Sequence, residues 1–148
     1  MTDRPAHFNP DAPTEDYIPL AAAASGFAVL LGTALIGLAL LGVRGLVAQA
    51  APTATPDPLQ PAGLLLLAGT LGGVLAAGFT TWALLAPLPL YRRGGLSMVS
   101  AFATFVAALL LAPVNHYLGL AGLAMVIFLA AVGCWALGRR LGRLRGAP

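Results

Sequence analysis

The chain has 148 residues, of which 59% are hydrophobic and only 9% charged, with a net charge of +3. A soluble domain carries about 25% charged residues, so too few remain here to cover a water-facing surface. All eight basic residues are arginine, and they stand at the ends of apolar runs instead of forming a stripe, so no nucleic acid is expected as a partner. The expected class is an all-α integral membrane protein. Cys134 is the one cysteine, so no intrachain disulfide can form. It lies inside an apolar run and reads as a small packing residue.

Residues 1–16, "MTDRPAHFNPDAPTED", hold three prolines and no apolar periodicity. They read as an irregular, mildly acidic tail. The first apolar run covers residues 17–43. About 20 residues cross a bilayer core, so this run crosses with some tilt. Tyr17 would mark one interface. Arg44 would mark the other, with its guanidinium snorkelling outward.

Residues 44–61 read as a linker rich in proline and threonine. Four prolines in "APTATPDPLQP" favour extended chain over helix. The triplet Ala48-Gln49-Ala50 has the look of a signal-peptidase site. The long acidic leader, the full-length apolar run and Arg44 argue against processing at Ala50.

The second run covers residues 62–86 and ends at Pro87 and Pro89. The segment "YRRGGLS" then reads as a tight charged turn eased by Gly94 and Gly95. The third run, residues 96–114, is close to the minimum for a crossing. Pro113, followed by "VNHY" and Gly119, predicts a reversal before a fourth run over residues 118–137. Residues 139–148 form a basic tail. The expectation is a single transmembrane domain over residues 17–138, a four-helix bundle with short termini.

Four spans put both termini and the second turn on one side. Arg4, Arg92, Arg93, Arg139, Arg140, Arg143 and Arg145 fall there, against Arg44 alone on the other. Arginine near span ends is retained in the cytoplasm, so the expected topology is N-in and C-in. The expected location is a bacterial-type inner membrane, with the proline-rich linker and Asn115-His116-Tyr117 facing outward. The arginines after Leu137 would also attract anionic lipid.

The spans hold no Asp, Glu, Lys or Arg away from their ends. Proton relays and coupled transporters usually need such a residue at depth. No catalytic constellation is found, and no enzymatic activity is expected. His116 is the one candidate for holding a metal-bearing cofactor or pigment. It is read instead as a polar, interfacial turn residue. No cofactor is assigned.

Two packing patterns stand out. Gly69, Gly73 and Ala77 lie four apart on the second helix, and Ala68, Gly72 and Ala76 form the adjacent row. Small residues on one face let another helix approach closely. Ser97, Ser100 and Thr104 share a face of the third helix. They could line a pore, but such hydroxyls more often bond to carbonyls of their own or a neighbouring helix. The expected function is that of an accessory or structural subunit packing in the bilayer against other membrane subunits. The alternatives are a homo-oligomeric channel or exporter using the hydroxyl face, and a cofactor-binding subunit using His116.

Overall fold

The computed structural model describes residues 17–49 and 61–146, without the side chains of Gln49, Pro61 and residues 144–146. The expected tail over residues 1–16, most of the linker and the Ala50 site lie outside the described residues. The described chain is all helical: α1 (Ile18–Gln49), α2 (Pro61–Leu84), α3 (Leu90–Tyr117) and α4 (Gly119–Gly146). All four helices are long and apolar enough to cross a bilayer, so the architecture is that of a small multi-pass membrane protein.

Helix α1 is the axis of the bundle. It packs against α2, α3 and α4, whereas α2 and α4 make no contact among the described residues. Helix α3 lies closely on α2 and only lightly on α4. The bundle is closed at the end where α1 begins. There Ala23 and Ala24 of α1, Leu85 and Leu88 of the α2–α3 turn, and Leu141 of α4 form a buried cluster, flanked by Tyr17, Phe27 and Leu137. Most large apolar side chains elsewhere point outward, among them Leu71, Leu75, Phe79, Phe102 and Phe128. Facing lipid tails, they need no cover, and helix association must come from close packing instead.

The helix ends differ from the sequence expectation in four places, each for a physical reason. Helix α1 runs past Val43 to Gln49, so Arg44 is a helical residue and the expected linker begins later. Arginine is a good helix former, and it marks where lipid ends, not where the helix must. Helix α3 starts at Leu90, so "YRRGGLS" is its first two turns and not a loop. The reversal is made by Leu85–Pro89 instead. Pro89 is extended at φ −62° and ψ 147°, and its carbonyl oxygen accepts the Arg93 N–H at 3.1 Å.

The third difference is at Pro113, which does not end α3; the helix continues to Tyr117. So close to a helix end, proline costs only one backbone bond, and membrane helices tolerate it. The chain turns instead at Leu118, whose N–H bonds the Val114 oxygen at 2.9 Å. Gly119 follows at φ +59°, the left-handed conformation that closes many helix ends. Fourth, α4 continues through the basic segment to Gly146, so those arginines sit on helix and not on an irregular tail.

Candidate functional site

The closest approach in the bundle is the seam between α1 and α2. At Gly73 an added Cβ would lie 2.6 Å from Ile36 Cγ1 and 2.7 Å from the Gly32 carbonyl oxygen. At Gly32 it would lie 2.6 Å from the Gly73 carbonyl oxygen and 2.6 Å from Thr104 Cγ2. Each backbone therefore occupies the space that a side chain would take on the other. Gly69 sits against the Ala39 methyl group, and Ala77 is fully buried. The small residues act by their absence of volume. They bring two backbones together where dispersion attraction is the main force available.

Gly72 departs from the expected close-packed set. Nothing lies within 4 Å of where its Cβ would be. One residue of offset turns a helix by about 100°, which carries Gly72 off the seam. Ala68 beside it on the same row is exposed and Ala76 is half-buried.

The hydroxyl face of α3 points inward. Ser100 and Thr104 are fully buried. Ser100 donates to the Leu96 oxygen at 2.9 Å, and Thr104 to the Ser100 oxygen at 2.8 Å. Ser97 reaches across to α2 and donates to the Gly78 oxygen at 2.7 Å. Thr81 of α2 is also fully buried and donates to the Ala77 oxygen at 3.0 Å. Each hydroxyl hydrogen thus ends on a backbone carbonyl, which removes the cost of burying it. Ser25 Oγ and Asn115 Oδ1 are buried without a hydrogen-bond partner among the described residues.

Arginines at the two ends of the bundle bind helix termini and rings. Arg93 donates through Nε to the Trp82 carbonyl oxygen at 2.6 Å, and its guanidinium carbon lies 4.3 Å from the centre of the Trp82 ring. It closes one of the free carbonyls that end α2 and stacks on a π face at the same time. Arg139 lies 4.4 Å over Trp135, one turn away on α4, and Arg92 lies 5.6 Å from the Tyr91 ring. Arg140 and Arg143 are exposed near the same end. Only the backbone of Arg145 is described. At the opposite end Arg44 does not project freely outward. Its Nη2 donates to the Asn115 carbonyl oxygen of α3 at 3.0 Å. A cation on the last carbonyls of a helix also meets the negative end of its dipole.

His116 is exposed on the last turn of α3, not in a loop, and its ring meets Tyr117 edge-on at 5.1 Å. Among the described residues no group of three His, Cys, Asp or Glu side chains could hold a metal ion. Cys134 packs with Sγ 3.7 Å from the Phe27 oxygen.

Two features went unread in the sequence. One is the α1 half of the seam, although Ala24, Ala28 and Gly32 are spaced by four and were a readable signal. The other is the Arg44–Asn115 contact, which no local pattern reveals because the residues are 71 apart. No protein-family model matches this chain, and neither a curated protein nor a solved structure shows significant similarity to it.

Proposed function

We propose that the chain is an accessory or structural subunit of a bacterial-type inner membrane, with both termini cytoplasmic, that packs against other membrane subunits. The observation that carries this reading is the open small-residue row of α2. Gly69, Gly73 and Ala77 are taken up by α1, while Ala68 and Gly72 of the adjacent row stay exposed. A helix that offers close approach on two sides and uses one has a second face suited to a partner helix. The buried hydroxyls support packing over a pore, since a lining group would face a lumen and not a backbone carbonyl.

The test is recovery of co-purifying chains from mild detergent for the wild type and for Gly72→Leu. The expected outcome is loss of a specific membrane partner with the four-helix fold retained. Undiminished recovery would rule out this face as the contact. The orientation is checked separately with a reporter fused after Pro148. Activity confined to the cytoplasmic side is expected, because Arg92, Arg93, Arg139, Arg140 and Arg143 gather at that end of the bundle and Arg44 alone at the other.

A further inference from the structure

We propose that the groove between α2 and α3 holds one acyl chain of an anionic phospholipid, with the lipid phosphate on Arg93. Val74, Gly78 and Trp82 of α2 form one wall and Ser97, Met98 and Ala101 of α3 the other, enclosing about 300 Å³ open to the side. Val74 to Trp82 is about 12 Å of helix, most of the roughly 15 Å depth of one hydrocarbon leaflet. The groove is therefore as long as a chain segment lying in that leaflet. Its walls are apolar, and the Ser97 hydroxyl is already spent on the Gly78 carbonyl.

Charge decides the occupant. Arg93 stands at the Trp82 end of the groove, half-buried and fixed by its Nε bond to the Trp82 oxygen and its stacking on the Trp82 ring. The bond and the ring hold the guanidinium plane, while its two terminal nitrogens make no hydrogen bond to the described residues. A planar fork of N–H donors held in place is suited to a phosphate at headgroup level. The described residues contain seven arginines and no Asp or Glu, and six of the seven belong to this end; with Arg4 they outnumber Asp3, Asp11, Glu15 and Asp16 of the N-terminal segment by seven to four. The local field therefore favours a headgroup with net negative charge over a zwitterionic one. The groove borders the Gly72 face, since Leu75 and Phe79, three and seven residues after Gly72, also line it; Trp82 and Ala101, on which the tests below rest, lie on its far side.

Native mass spectrometry of the purified protein tests the proposal, with phosphatidylglycerol and phosphatidylcholine of equal chain length added in turn. One retained phosphatidylglycerol is expected, held about tenfold better than phosphatidylcholine. Arg93→Gln should weaken retention about tenfold, and Arg140→Gln should not change it. Arg93 also caps α2, so Ala101→Leu provides a second variant: it fills the groove and leaves the guanidinium in place, and it should lose the lipid too. In a Trp135→Phe background, phosphatidylglycerol with brominated chains should quench Trp82 more than brominated phosphatidylcholine does at equal mole fraction. The proposal is overturned by equal retention of the two lipids, by equal quenching, or by equal losses in Arg93→Gln and Arg140→Gln. The last of these would mean diffuse attraction to the basic end.

Discussion

Helix α2 carries two rows of small residues that are one position apart in sequence and have opposite surroundings. Along Gly69, Gly73 and Ala77, an added methyl group at either glycine would run into Ala39, Ile36 or the Gly32 backbone. At Gly72, one residue away, it would meet nothing. Both rows hold only glycine and alanine, at the same spacing of four. What differs is the neighbour: α1 presents Gly32, Ile36 and Ala39 to the first row and nothing to Gly72 of the second. A small-residue motif is therefore half of a contact. The helix that supplies the other half decides which row is used.

The largest effect should come from Gly73→Leu. A leucine there must displace Ile36 or push the α1 backbone away, and overpacking of this kind costs about 3 kcal/mol. Unfolding followed by circular dichroism in mixed detergent micelles should show the loss. A variant as stable as the wild type would mean that the seam is not the main contact of the bundle. Gly32→Ala comes next, at about 2 kcal/mol. A single methyl group would meet the Gly73 oxygen and Thr104 together, and the backbone oxygen cannot swing aside.

Gly119→Ala gives a useful contrast, because that glycine is needed for its backbone angle and not for space. Its φ is +59°, and the nearest atoms to an added Cβ are 3.7 Å away on Arg44. The expected cost is about 1 kcal/mol, from left-handed strain alone. The smallest effect on the isolated bundle belongs to Gly72→Leu, within about 0.5 kcal/mol of wild type. A marked loss of stability in the isolated chain would show that the second row is already occupied, and the contrast between the two faces would collapse.

The apolar runs made the four helices legible, because a bilayer forces every buried backbone group into a helix or a closed barrel. Their ends were less legible. Arg44, Arg92, Arg93 and Arg139 mark where the chain leaves lipid, yet all four lie within helices. Pro113 looked like a breaker, but it sits near the end of α3, where few bonds remain to be lost. The actual reversal needs only Leu118 and the left-handed Gly119, too short a signal to stand out beside a proline and an asparagine. At the seam, spacing alone pointed to Gly69, Gly73 and Ala77, but it could not separate Gly72 from them. Helical phase shows which residues share a face and does not show where the next helix lies.

The Arg44–Asn115 contact bears on the order in which the protein assembles. Arg44 leaves the ribosome ahead of α3, and its carbonyl partner is made 71 residues later. Until then the guanidinium has only water or lipid phosphates to bind. Helices α3 and α4 share a turn of one residue, so they enter as a hairpin whose tip exposes the free carbonyls that end α3. A cation already waiting at that depth would catch the tip and set how far the hairpin is inserted. Arg44 would then act as a depth stop during biogenesis, fixing the position of the second half of the protein against the first before the side chains have packed.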